Sequence, residues 1–222
     1  MTTGVERYAL VNFFTLTNMN IAIFASGNGT NCENIIRHFN GNETARVRLV
    51  VSNKTDAYAL TRARNLGVKT VTLRRTDFDN ADIMLPLLTE NAIDYIVLAG
   101  FMLMIPPFLV KAYNRRIINL HPSLLPKYGG KGMYGRRVHE AVKASGDNLS
   151  GITVHYVSDI CDGGEIIARF TTPIAPEDTV EDIERKVRML EIKYFPRAIE
   201  SVIRDGTTDT HQPPNRETSP QC

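Results

Sequence analysis

Along the first half of the chain, short apolar runs typical of β-strands alternate with segments whose apolar residues have helical spacing. Four short apolar runs have the length of buried β-strands: residues 20–25, 47–52, 69–73 and 95–99. Three segments between them carry apolar side chains at helical spacing: residues 31–39, 57–66 and 81–90. Strands that alternate with helices predict a mostly parallel sheet covered by helices on both faces.

The second half continues this pattern and then changes it. A short helix, a fifth strand and a further helix are predicted at residues 108–113, 117–119 and 136–144. Residues 152–157 and 165–172 then alternate as two strands of a hairpin, and residues 179–204 form the longest helical pattern. The predicted fold class is therefore α/β: a single doubly wound, mostly parallel, Rossmann-like sheet with an antiparallel carboxyl-terminal strand and a long late helix.

The pattern predicts one domain at residues 19–204. Residues 1–18 are interpreted as an extension before it, because polar residues interrupt their apolar stretch too often for an export signal. From residue 205 the chain loses apolar residues, so residues 205–222 are predicted to be a flexible tail.

Composition and charge narrow the functional classes. The chain has 222 residues, 43% hydrophobic and 23% charged, and its net charge of +2 is too small to favour nucleic acid or a membrane surface as partner. Three scattered cysteines do not suit a disulfide framework or a zinc site. We therefore expect a cytoplasmic protein without a metal, acting on small molecules as a monomer or homodimer.

The segment I-I-N-L-H-P-S-L-L-P carries the first candidate chemistry. Asn119 and His121 lie two positions apart at a strand end, so both side chains should point to one face while Leu120 packs away. A hydrogen-bonded structural pair is the alternative interpretation of such a short motif.

A glycine turn, S-G-N-G-T-N at residues 26–31, joins the first strand to the first helix. Backbone N–H groups of such a turn and the helix amino end can bind an anion. Cys32 takes the third glycine position of the dinucleotide fingerprint, so a monophosphate fits better. The alternative is a tight turn without a ligand.

Asp162, in the sequence D-G-G, could hold a histidine charged and oriented. Asp159 is the competing carboxylate, and a plain hairpin turn is the alternative for the whole corner. We expect a supporting role for His155 and a buried spacer role for Cys161. Arg188 and Glu191 share a helix face, where solvated surface charge is the common outcome.

Six motifs in order resemble the phosphoribosylglycinamide formyltransferase family of folate-dependent enzymes. They are S-G-N-G-T-N, V-S-N-K-T-D-A, V-L-A-G-F-M, I-N-L-H-P-S-L-L-P-K-Y, G-I-T-V-H-Y-V and D-G-G-x-I, spread over residues 19–204. The resemblance implies transfer of a formyl group from 10-formyltetrahydrofolate, as co-substrate, to the glycinamide amine of phosphoribosylglycinamide in purine biosynthesis.

The resemblance also implies roles for individual residues. The catalytic positions are Asn119, His121 and Asp162. The positions for phosphoribosylglycinamide are Gly29, Thr30, Asn31, Arg188 and Glu191. The folate positions are Met102, Leu103, Met104, Ile105, Asn119, Ser158, Asp159, Ile160, Cys161 and Asp162.

The chain departs from the family pattern in places. Leu103 and Ala81 stand where arginines are common in the family. The contacts to the glutamate tail of the folate are therefore expected to be either weaker or supplied by other residues. The glycine-rich loop at residues 129–135 is longer than usual.

Three other functions compete. A formyltetrahydrofolate hydrolase shares the Asn, His and Asp set but resembles chains with a regulatory domain in front. Methionyl-tRNA formyltransferase would need a further carboxyl-terminal domain and lacks the early glycine turn. A catalytically silent folate- or phosphate-binding module would not need all three site residues.

Overall fold

The computed structural model describes residues 18–209. The predicted extension up to residue 17, and the predicted tail from residue 210, lie outside the described residues. The strands are β1 (Met19–Phe24), β2 (Ala45–Ser52), β3 (Lys69–Thr72), β4 (Tyr95–Leu98), β5 (Ile117–His121), β6 (Leu149–Tyr156) and β7 (Ile166–Pro173). The helices are α1 (Thr30–Phe39), α2 (Tyr58–Asn65), α3 (Arg75–Phe78), α4 (Ala81–Glu90), α5 (Pro107–Ala112), α6 (Arg136–Ser145) and α7 (Val180–Asp209).

All seven described strands form one sheet in the order β3-β2-β1-β4-β5-β6-β7. Strands β1 to β5 pair in parallel, whereas β6 runs antiparallel to both of its neighbours, β5 and β7. The predicted fold class is therefore confirmed. The chain proceeds from β1 to one side of the sheet and returns through β4 to the other. Ligands bind at such switch points, at the carboxyl ends of parallel strands.

Strand β1 shows how the sheet separates two hydrophobic cores. Ile21 and Ile23 face the core formed with α1, α2 and α7, which contains Phe39 and Phe195. Ala22 and Phe24 face the opposite core. Successive strand side chains point to opposite faces, so a fully apolar run such as β1 supplies both cores at once.

Several element boundaries differ from the sequence prediction, and helix α3 was not predicted. Strand β5 continues to His121, so the histidine belongs to the strand itself. Helix α3 has only four residues, which is too short to show a helical period; a capping interaction between Arg74 and Asp77 begins it. Helix α7 continues to Asp209 beyond the predicted end at residue 204, and Gly206 packs on the Tyr95 hydroxyl, where a Cβ would lie only 2.6 Å away.

None of the helices within residues 18–209 has both the length and the apolar composition needed to cross a membrane.

Candidate active site

His121 lies at the carboxyl end of β5 with 4% of its surface exposed. Its Nε2 is 2.7 Å from the carbonyl oxygen of Tyr128, and only a protonated nitrogen can make that contact favourable. Its Nδ1 is 3.5 Å from Oδ2 of Asp162. The imidazole is therefore held from two sides, and Nδ1 is the nitrogen that faces the carboxylate.

Asp162 is positioned by the turn that follows β6. Its φ of +53° lies in the left-handed region, which non-glycine residues rarely adopt. The backbone N–H of Gly130 donates to its Oδ2 at 2.9 Å, so the glycine-rich loop contributes to the site. Asp159, the competing carboxylate, is exposed, and it is Asp162 that the turn brings beside the histidines.

Asn119 and His155 are opposite each other on β5 and β6. Nδ1 of His155 lies 2.9 Å from the carbonyl oxygen of Tyr156 and donates to it. Burial lowers the pKa of the His155 imidazole, so the ring is neutral and its Nε2 accepts from Nδ2 of Asn119 at 3.1 Å. That Nε2 is also 3.7 Å from Oδ1 of Asp162. The structure thus brings Asn119, His121 and Asp162 together around His155.

The glycine turn follows β1 at the same edge of the sheet. Gly29 has a φ of +75°, and a Cβ there would lie 2.4 Å from the Cα of Ala59, so the turn requires glycine. The hydroxyl of Ser26 donates to Oδ1 of Asn53 at 2.6 Å and accepts from the backbone N–H of Met102 at 2.9 Å. These bonds connect the loops after β1, β2 and β4 at the switch point.

Helix α7 contacts the start of α1 through two side-chain hydrogen bonds. Arg188 donates to Oγ1 of Thr30 at 3.0 Å. Nδ2 of Asn31 donates to Oε2 of Glu191 at 2.8 Å. Burial raises the pKa of the Glu191 carboxyl, against the opposing effects of the Asn31 hydrogen bond and the Arg188 charge. Arg188 and Glu191 are therefore built into the wall of the glycine turn.

The predicted folate segment after β4 divides by burial. Met102 and Met104 expose 49% and 60% of their surface, and Leu103 is partly buried against the second core. Ile105 is a member of that core and only 8% exposed. The side chain of Ile105 therefore anchors the segment to the core. The two methionines present apolar surface to solvent, where a ligand could contact it.

The second predicted folate segment follows β6 and is mostly exposed. The hydroxyl of Ser158 donates to the carbonyl of Ile160 at 3.2 Å, and Ile160 exposes 71% of its surface. Cys161 is exposed, so the prediction of a buried spacer is wrong. Within this turn the side chain of Cys161 faces solvent, whereas the next side chain, Asp162, faces His121 and His155. Within residues 18–209, no group of three or more His, Cys, Asp or Glu side chains could hold a metal ion.

Sequence reasoning missed the backbone partners of the site. The carbonyl of Tyr128 contacts the His121 side chain, and the N–H of Gly130 contacts the Asp162 side chain. The direction of a loop's backbone leaves no signal in its residue types. Asn53 was visible as part of the motif V-S-N-K-T-D-A, but its contact with Ser26 depends on the pairing of β1 with β2.

Residues 19–199 match the family described as Formyl transferase, and the chain belongs to this family. The curated phosphoribosylglycinamide formyltransferase of Haemophilus influenzae is 39% identical over 184 residues, which cover 81% of this chain and 84% of that protein. The Escherichia coli protein of the same name is 38% identical over 199 residues, covering 87% and 91%. The crystal structure of phosphoribosylglycinamide formyltransferase from Anaplasma phagocytophilum superimposes with a TM-score of 0.78 at 29% identity, covering 85% of this chain and 88% of that chain. The resemblance inferred from the six motifs is confirmed.

Proposed function

We propose that the protein transfers the formyl group of 10-formyltetrahydrofolate to the glycinamide amine of phosphoribosylglycinamide. The products are formylglycinamide ribonucleotide and tetrahydrofolate, and the reaction belongs to purine biosynthesis, in a cytoplasmic setting. The observation that carries this proposal is the convergence of Asn119, His121 and Asp162 at the carboxyl end of β5 in a formyl transferase fold. Strand β5 lies next to β4, one strand away from the switch point.

In the proposed mechanism the substrate amine attacks the formyl carbon and a new C–N bond forms. The electron pair of the C=O bond moves to the formyl oxygen, which becomes an oxyanion. The amide nitrogen of Asn119 carries two N–H groups. One donates a hydrogen bond to His155, and the other remains free to donate to this oxyanion. The Nε2 proton of His121 is engaged by the Tyr128 carbonyl, so the other donor is Nδ1 of the imidazolium.

Asp162 has two roles in this proposal. Its carboxylate lies 3.5 Å from Nδ1 of His121 and orients the imidazole ring. It also accepts the proton that the attacking amine loses, directly or through a water molecule. Collapse of the tetrahedral intermediate breaks the bond between the formyl carbon and the folate nitrogen, and that nitrogen takes up the proton. No covalent enzyme intermediate and no metal are needed.

The glycine turn supplies the second half of the proposal, which is binding of the substrate phosphate. Gly29, Thr30 and Asn31 present backbone N–H groups at the amino end of α1, where an anion is favoured. Arg188 adds a positive charge beside Thr30, and Glu191 offers an acceptor to the glycinamide portion.

The folate would lie along the two loops that flank the catalytic residues. One wall is the segment Met102, Leu103, Met104 and Ile105, with its exposed methionines. The other is the turn of Ser158, Asp159, Ile160, Cys161 and Asp162. Exposed apolar side chains are suited to cover an aromatic ring.

The test is an optical assay of formyl transfer to phosphoribosylglycinamide from a 10-formyl folate analogue, with a control that lacks the acceptor. Loss of the formyl group only when the acceptor is present supports the proposal. Release of formate without the acceptor identifies a formyltetrahydrofolate hydrolase instead. If neither reaction occurs and both ligands bind, the protein is a binding module.

A further inference from the structure

Tyr128 connects the catalytic histidine with a polar cluster outside the proposed site. Its carbonyl oxygen accepts from Nε2 of His121 at 2.7 Å, and its phenol oxygen lies 2.7 Å from Oδ2 of Asp147. The φ of Tyr128 is +61°, in the left-handed region. A non-glycine residue keeps such a conformation only where its surroundings hold it there.

The phenol is held by two acceptors. One is the Asp147 carboxylate and the other is the hydroxyl oxygen of Ser145. The Ser145 hydroxyl itself donates to the carbonyl of Val142 at 2.8 Å. A phenol has a single proton, and an ionised carboxylate is the stronger acceptor. The bond from Tyr128 to Asp147 is therefore the one that fixes the ring.

Asp147 is itself fixed and charged. Nζ of Lys127 lies 2.7 Å and 2.6 Å from its two carboxylate oxygens. The hydrogen bonds from Lys127 and then Tyr128 hold the pKa of the Asp147 carboxyl below its ordinary value, so it is an anion at neutral pH. An exposed pair of this kind contributes little stability, but it keeps an acceptor in place for the phenol.

The loop before Tyr128 has separate anchors. Oγ1 of Thr153, the residue opposite His121 on β6, donates to the carbonyl of Ser123 at 2.7 Å and accepts from the N–H of Leu125 at 3.0 Å. Arg169 on β7 donates to the carbonyl of Leu125 at 2.8 Å. These bonds hold residues 123–125.

Nearer to Tyr128, Oγ of Ser123 donates to the carbonyl of Lys127 at 3.1 Å, and the N–H of Gly129 donates to the carbonyl of Pro126 at 3.4 Å. The phenol of Tyr128 adds a side-chain anchor to these backbone contacts, at the residue whose carbonyl engages His121.

We propose that Tyr128 is a positioning residue for formyl transfer, acting through His121. The bond from its phenol to Asp147 fixes the direction of its carbonyl, which engages Nε2 and thereby aims Nδ1 towards Asp162 and the formyl oxygen. This inference rests on the proposed role of His121. Small displacements of a reacting group are costly, and about 1 Å can reduce a rate about a hundredfold.

The experiment compares Tyr128→Phe with the wild-type protein in steady-state kinetics and in NMR of the histidine rings. The variant keeps the aromatic ring and loses the phenol bond. We expect kcat to fall about tenfold, with KM for both substrates within about twofold, because the change affects the reacting geometry and not binding. In the wild type the hydrogen bond to the Tyr128 carbonyl should protect the Nε2–H of His121 from exchange with water, and in the variant this resonance should broaden or disappear.

Two further substitutions separate positioning from general loosening of the fold. Asp147→Ala removes the acceptor and should reproduce the loss of kcat and of the resonance. Asp147→Asn keeps an oxygen acceptor for the phenol and should restore most of both. Tyr113→Phe is the matched control. It removes a phenol bond to the carbonyl of Ile93, just before β4 begins, at 3.2 Å, and should leave kcat and the resonance unchanged.

A normal kcat in Tyr128→Phe would overturn the inference, and so would a reduced kcat with the His121 resonance intact. If Tyr128→Phe does not fold, Asp147→Ala against Asp147→Asn makes the same comparison. The NMR measurement needs no substrate. It therefore decides whether the phenol fixes His121 even if the wild-type protein fails to transfer formyl to phosphoribosylglycinamide.

Discussion

The amide of Asn119 donates to the neutral imidazole of His155 on the neighbouring antiparallel strand, across 3.1 Å. The other imidazole nitrogen of His155 is engaged by the carbonyl of Tyr156 at 2.9 Å. His155 can therefore only accept from Asn119, and this fixes the amide with its nitrogen towards His155. His155 thus decides which side of the Asn119 amide faces the proposed substrate site.

Replacing His155, the acceptor, should leave the Asn119 amide without a fixed orientation. We expect His155→Phe to lower kcat about tenfold with a smaller change in KM, since one oxyanion donor loses its direction and is not itself removed. Steady-state kinetics checks this. His38→Phe, which breaks a pair with Glu200 on α7 at 2.7 Å, is the matched control and should keep the wild-type kcat. Full activity in His155→Phe would rule out the orienting role.

Asp162→Asn should lower kcat by about two to four orders of magnitude, the usual contribution of a positioned acid or base. KM for phosphoribosylglycinamide should change little, because the carboxylate acts on the reacting amine and not on the phosphate. Asp159→Asn removes the neighbouring exposed carboxylate and should alter the folate KM at most. If the two variants had the same kcat, the assignment of the base to Asp162 would be wrong.

Arg188→Ala should raise KM for phosphoribosylglycinamide at least about tenfold and leave kcat nearly unchanged. A charge-assisted contact that is equal in the ground state and the transition state affects binding alone. Arg185→Ala is the matched control on the same helix, because Arg185 is 69% exposed and pairs only locally with Asp182. A large fall in kcat in Arg188→Ala would instead indicate a role in the chemical step.

Glu191→Gln tests the buried carboxyl on α7 through the pH dependence of stability. Burial raises the pKa of the Glu191 carboxyl above the ordinary 4.5. The contribution of this carboxyl to the free energy of unfolding is therefore fully present below pH 4.5 and is lost as the pH rises through the folded-state pKa. Glutamine stays neutral and still accepts from Asn31. The variant should therefore have a higher free energy of unfolding than the wild type at about pH 7, with the gain vanishing at about pH 4.

Glu200→Gln is the control with the opposite sign. Hydrogen bonds from Asn42 and then His38 lower the pKa of the Glu200 carboxyl, so its contribution is present above 4.5 and is lost as the pH falls through the folded-state pKa. This variant should be less stable than the wild type at about pH 7, and the loss should shrink in acid. Urea unfolding measures both variants. A pH-independent difference for Glu191→Gln would contradict the proposed burial effect.

Much of the fold was predictable because its signals are local. The apolar runs and helical periods predict strands such as β1 and helix α4 within a residue or two. Helix α3 and the end of α7 were missed. Helix α3 has only four residues, barely more than one helical turn, and the last residues of α7 continue the helix without apolar side chains.

The candidate site was predictable to the extent that side chains carry its chemistry. The spacing of Asn119 and His121 predicts a shared face, and both side chains do approach Asp162 and His155. The residue pattern left the choice between Asp159 and Asp162 open, and only the family resemblance favoured Asp162. The pattern could not decide because the placement of Asp162 depends on its left-handed backbone. The hydrogen bond between His121 and the Tyr128 carbonyl could not be predicted from the sequence either, because it depends on the backbone direction of a loop.

The contact between Gly29 and Ala59 extends the proposed phosphate site to a helix that need not touch the phosphate. Ala59 is fully buried on α2, and its N–H donates to the carbonyl of Gly27 at 3.1 Å. A side chain larger than a methyl group at position 59 would push directly against the turn. The width of the proposed anion-binding turn is thus limited by α2. We therefore expect substitutions on α2 to alter substrate affinity without changing any residue proposed to contact the phosphate.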